Sequence, residues 1–159
     1  MRKTRYRKYY ILEIMIIALI FVGLYPTLKV RQANMDDIKT SIEKTANLEK
    51  MKIGDEKIIK KLYYINSNDI EDFISYVPNS NMEAEEVLVL KLKDEKKVSE
   101  IKAKIQKRID KQSDSFRSYR PEKYETIKNY VLYNEGEYVI FIISDEVSAI
   151  KDAIKKDFK

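Results

Sequence analysis

The chain has 159 residues, enough for one domain plus an appendage, and contains no cysteine, histidine or tryptophan. That excludes disulfides, thiolate and zinc sites, serine–histidine triads and haem attachment, and leaves carboxylates, lysine, tyrosine, serine and threonine as the available chemistry. The basic surplus, 31 Lys and Arg over 26 Asp and Glu, sits at one end: residues 1–31 hold seven basic residues against Glu13 alone, whereas residues 32–159 hold 24 basic and 25 acidic ones. A domain so balanced lacks the basic excess of a nucleic-acid binder, and no nucleic-acid partner is expected.

Residues 1–8 form a basic N-terminus, and an apolar stretch follows over residues 9–28, broken only by Glu13 one turn inside. As a helix, 20 residues rise about 30 Å, the thickness of a bilayer's hydrocarbon core. Tyr9 and Tyr10 at one end and Tyr25 at the other suit the two interfaces. The expectation is therefore a transmembrane helix in contact with membrane lipid. The basic N-terminus places that end in the cytoplasm and the remainder outside. A cleaved signal peptide shares this layout but needs small residues at −3 and −1 of the cut. Gly23 has Phe21 two before it and Ala33 has Arg31, so an uncleaved anchor is favoured over cleavage and over a buried soluble helix. Residues 29–34 read as a short tether, and residues 35–159 as an extracytoplasmic α+β domain.

Within that domain Ile38, Ile42, Ala46 and Leu48 lie at helical spacing after a cap at Asn34 or Asp36. Ile53-Gly54-Asp55 breaks the chain, and Asp55 caps a short helix from Glu56 to Leu62. Strands are predicted at residues 70–77 and 85–93, separated by the turn cluster Pro78-Asn79-Ser80-Asn81. The second strand is apolar on both faces at its middle, which suits a central strand covered on both sides. Val98, Ile101, Ile105 and Ile109 stripe a long helix from Asp94 to about Phe116, and residues 122–128 form another short one. Strands at 130–133 and 137–143 flank a hairpin turn with Gly136 in the left-handed position. Ser144 or Asp145 then caps a last helix. The order α-α-β-β-α-α-β-β-α implies a four-stranded, mainly antiparallel sheet packed with helices.

Three segments carry a further pattern: Asn81 to Lys91, an acidic approach to an apolar strand; Arg108, Gln112, Phe116, Tyr119-Arg120-Pro121 and Tyr124; and Gly136-Glu137-Tyr138-Val139 with Ser144-Asp145. With them the stretch from Asp69 onward resembles the domain of unknown function 4358 family, found in exported or membrane-anchored bacterial proteins. The resemblance implies location and domain limits and brings no activity with it. Many relatives carry a lipid-modified cysteine after the signal. This chain has none, which leaves the helix as its attachment.

The candidate cluster for binding or structure is Arg108, Gln112, Tyr119 and Tyr124. Arg108 and Gln112 extend the apolar stripe of their helix, and a guanidinium there needs partners. In the structural reading Arg108 pairs with Glu85 or Glu86 and Gln112 holds the Tyr119–Tyr124 turn. In the functional reading Arg108 clamps an anion or glycan and the tyrosines are platforms. The acidic residues Glu83, Glu85 and Glu86, with Asp69, Glu71 and Asp72 upstream, read as solvated strand approaches and caps in preference to paired catalytic carboxylates. Asn66-Ser67-Asn68-Asp69 lacks the glycine of a calcium loop, with Glu71 in its place. No catalytic, metal or cofactor residue is assigned. The expected role is binding or assembly at the cell envelope, toward a protein or glycan partner. The alternatives are a carboxylate-based envelope enzyme and an accessory subunit of a membrane complex.

Overall fold

A computed structural model describes residues 4–28 and 33–158, with side chains for residues 9–22 and 33–158. The chain divides into two compact units, residues 1–30 and 31–159. In the first, helix α1 runs Thr4–Leu28. Its described apolar side chains, from Tyr9 to Val22, are exposed. Among the described residues no helix is long and apolar enough to cross a membrane. The described side chains of α1 cover fewer positions than the roughly 20 apolar residues a crossing takes. Most of the expected tether lies outside the described residues.

The second unit contains α2 (Met35–Thr45), β1 (Met51–Ile53), α3 (Glu56–Tyr63), β2 (Ile70–Pro78), β3 (Glu86–Leu92), α4 (Val98–Tyr119), α5 (Pro121–Lys128), β4 (Val131–Glu135), β5 (Tyr138–Ile143) and α6 (Val147–Asp157). The strands form one sheet in the order β1-β2-β3-β5-β4, antiparallel at every pairing. The expected four strands are present, and β1 is a fifth that corrects the count. Three residues are too few to show alternation, and β1 exists because the end of β2 offers it a backbone edge, Met51 opposite Pro78 and Ile53 opposite Tyr76. Gly54 follows it and donates to the Ser75 carbonyl at 2.8 Å. A Cβ on Gly54 would stand 2.5 Å from Ser75 Oγ and 3.2 Å from its Cβ, so any larger residue would push Ser75 aside where β1 leaves β2.

Helices cover both faces of the sheet. Leu88, Leu90 and Leu92 of β3 and Val139, Phe141 and Ile143 of β5 face a core that includes residues of α3, α4 and α5. Their neighbours Val87, Val89, Tyr138, Ile140 and Ile142 face a second core with α2 and α6. Each fully buried Leu, Ile or Phe contributes about 1.5–3 kcal/mol, so the two central strands with their double cover dominate the stability.

The caps follow the sequence at two helices and depart at a third. Asn34 accepts from Asp36 N–H at α2 and Asp55 from Ile58 N–H at α3. At α6 the cap residue is Glu146, without a side-chain cap, because Ser144 Oγ is engaged with Glu146 itself. Gly136 takes its expected positive φ of 54°. Tyr64, which ends α3, also has a positive φ, 57°, and its side chain is 74% exposed. A side chain in the left-handed region costs about 1–2 kcal/mol, which glycine does not incur. Tyr64→Gly is expected to raise domain stability by about 1 kcal/mol after the greater unfolded-state entropy of glycine is subtracted. Thermal unfolding followed by tyrosine circular dichroism checks it.

Candidate functional site

The period of two along β3 decides which carboxylate meets α4. Glu86 shares its face with Leu88 and Leu90, so its side chain enters the core beneath α3 and α4. It is completely buried. A carboxylate in that position needs donors, and three side chains supply them. Arg108 Nη2 and Gln112 Nε2 each donate to Glu86 Oε2 at 3.1 Å, and Tyr63 donates its hydroxyl to Oε1. Arg108 and Gln112 come from α4, four residues apart and hence on one helix face, and Tyr63 from the last turn of α3. Burial, and then the negative charge of Glu86 and the bond to it, push the Tyr63 hydroxyl well above its ordinary value, against a smaller opposing effect of Arg108. Tyr63 therefore stays a neutral donor. Its ring also meets Phe141 edge to face, at 6.3 Å between centroids.

A second buried ionic cluster lies at the approach to the same strand. Lys123 of α5 reaches Glu83 and Glu85, each at 2.7 Å, and Lys50 stands 3.5 Å from Glu85. Burial pushes the Glu85 carboxyl up, but the hydrogen bond and charge of Lys123, with backbone N–H donors, outweigh it and leave it below its ordinary value. Lys123 is held above its own ordinary value, because its bonds to the two glutamates exceed the effect of burial.

Above the first cluster a cleft of about 420 Å³ opens between α3, α4 and the turn that joins β2 to β3. Arg108 and Gln112 contribute to its floor, and Ile58, Leu62 and Phe116 to its apolar wall. Lys52 of β1, Lys61 of α3 and Lys111 of α4 stand around it. None of the three has an ion-pair partner among the described residues. Glu83 is the one acid that lines it, and it is ion-paired with Lys123, which Glu85 shares. The volume falls within the usual range for small-molecule pockets.

The expected cluster is thus half assembled. Arg108 pairs with Glu86, one of its two expected partners. Gln112 does not hold the Tyr119–Tyr124 turn; its amide is taken by Glu86. Tyr119 is exposed at the end of α4, away from the Glu86 bonds. Tyr124 is half-buried against the α4 side of the core, with Arg117 and Lys128 over its ring. The reading of Glu85 and Glu86 as solvated is corrected: both are buried, because each has cationic partners on a helix that covers the sheet. Tyr63 and Lys123 were missed. Tyr63 carried a usable signal, since Ile59 and Tyr63 are four apart on the apolar face of α3. Lys123 carried none, as its partners lie 38 and 40 residues earlier. Upstream, Asn66 caps a short helical turn, Asp69 pairs with Lys97 and Glu71 with Lys91. Among the described residues no group of three or more acidic side chains is arranged to hold a metal ion.

No curated protein and no solved structure matches the chain. The model of one family, described as a domain of unknown function (DUF4358), matches residues 44–144, from the end of α2 to the end of β5. That span includes both ionic clusters and the cleft between α3 and α4, and the chain belongs to the DUF4358 family.

Proposed function

We propose that this protein is a membrane-anchored extracytoplasmic domain that acts by binding or assembly at the cell envelope, without catalysis. Residues 9–28 span the membrane with residues 1–8 on the cytoplasmic side. The observation that carries the reading is the run of exposed apolar side chains on α1, from Tyr9 to Val22, behind a strongly basic N-terminus. In water that surface is unfavourable, and a bilayer removes the cost. The carboxylates point the same way. Glu86 is fully buried and accepts from three donors, and Glu85 is buried and ion-paired, so neither is open to a substrate.

The absence of cysteine allows a clean test of location. Lys39 is exposed on α2, and a Lys39→Cys variant carries a single thiol. A membrane-impermeant maleimide is expected to label it in intact cells, with the labelled protein in the membrane fraction. Labelling that appears only after lysis overturns the extracytoplasmic placement, and recovery in the soluble fraction overturns the anchor.

A further inference from the structure

We propose that the cleft between α3, α4 and the β2–β3 turn binds a phosphate-bearing ligand that also carries an apolar group. This deepens the binding reading above and rests on it.

Residues 32–159 carry one more acid than base, so cations have no general excess on the domain. Yet three different elements each bring a lysine to this cleft: Lys52, Lys61 and Lys111. Six lysines of the domain, Lys50, Lys91, Lys97, Lys104, Lys123 and Lys128, form ion pairs among the described residues, and the three at the cleft are among those that do not. Like charges brought together without counter-charge repel, and a multiply charged anion converts that repulsion into binding. Lysine ammonium groups are mobile point charges, well suited to phosphate oxygens.

The floor adds direction. Arg108 gives one nitrogen to Glu86, but its Nε is buried and has no acceptor among the described residues. That Nε is closed off from water, so Arg108 acts on the cleft through its positive charge and not through an open hydrogen bond. The wall adds the apolar requirement. Ile58, Leu62, Val77 and Phe116 would be wasted on an inorganic anion alone, and they offer a surface for a hydrocarbon or ring attached to the phosphate. A soluble phosphorylated compound and a phospholipid headgroup with the start of its chains share this chemistry.

The test uses the full chain in a neutral detergent, with titration calorimetry in two arms. One arm adds pyrophosphate, and the other adds phosphatidylglycerol to the micelles against phosphatidylcholine. Two triple variants accompany the wild type: Lys52→Gln/Lys61→Gln/Lys111→Gln at the cleft, and Lys39→Gln/Lys44→Gln/Lys156→Gln on exposed positions of α2 and α6. Neither set touches the buried clusters, and equal melting temperatures establish that both fold. The expected result is binding by the wild type and the remote variant, with at least a tenfold loss in the cleft variant, and weakening with salt. Binding in the pyrophosphate arm alone assigns a soluble ligand, and binding in the phosphatidylglycerol arm alone a lipid. Absence of binding in both arms, or an equal loss in both variants, overturns the proposal. The maleimide experiment is unaffected by either outcome, so the location can stand while the ligand class falls.

Discussion

Glu86→Ala is expected to cost the domain about 4–5 kcal/mol, the upper end for breaking a buried ion pair. Three losses combine. Arg108, with 16% of its side chain exposed, is left without its counter-charge. Tyr63 keeps a fully buried hydroxyl with no acceptor, and a cavity opens at the base of β3. Arg108→Met is expected to cost less, about 3 kcal/mol, because Tyr63 and Gln112 still donate to the carboxylate. The informative variant is the double Glu86→Leu/Arg108→Met. Apolar replacement of both charges removes the desolvation penalty together with the attraction, so the double should be more stable than either single change. Chemical denaturation of the wild type, Glu86→Leu, Arg108→Met and the double measures the cycle. A fully stable Arg108→Met protein would show that the arginine is not structural.

Lys123→Met ranks second, at about 3 kcal/mol near neutral pH. Lys50 lies 3.5 Å from Glu85 and softens the loss. The pH dependence is the sharper readout. Burial alone raises the Glu85 carboxyl, and the bond to Lys123 brings it below its ordinary value of 4.5. A carboxyl depressed in the folded state contributes stability that is present above 4.5 and lost as pH falls through the folded value. Without Lys123 only the backbone N–H donors and Lys50 oppose burial, so the depression shrinks and the group contributes less at neutral pH. The gap between wild type and Lys123→Met should therefore be widest near pH 7 and narrow steadily toward pH 3. A gap that stays constant would show that lost packing of the lysine stem, not charge, is responsible.

Much of the fold was legible because its strands and helices are long relative to their periods. The apolar middles of β3 and β5 announced double cover, and the stripe of α4 announced which of its faces is buried. The short β1 was not legible, since its pairing is supplied by β2. The burial of Gln112 and the partial burial of Arg108 could be read from their spacing to Ile101 and Ile105. The choice of Glu86 over Glu85 was also within reach, because Glu86 lies two residues before Leu88 and so on the same face. What stayed hidden were partners distant in the chain: Lys123 with Glu83 and Glu85, and the placing of Lys52 beside Lys61 and Lys111. Three-dimensional convergence of single lysines leaves no local trace.

The order β1-β2-β3-β5-β4 has a kinetic side. The hairpins β2–β3 and β4–β5 are each local, but the pairing that unites them, Glu86 with Ile143 through Lys91 with Tyr138, closes a loop containing all of α4 and α5. The entropy of that closure is lost before the central contacts repay it, so the β3–β5 junction belongs to the late, slow part of folding. Arg108 and Gln112 lie inside the loop and Glu86 at its edge. The residues of the buried ion pair and of the cleft above it, 52–116, all precede β4 and β5 in the chain, so this site is brought together on the local side of that closure and the late junction completes the sheet beneath it.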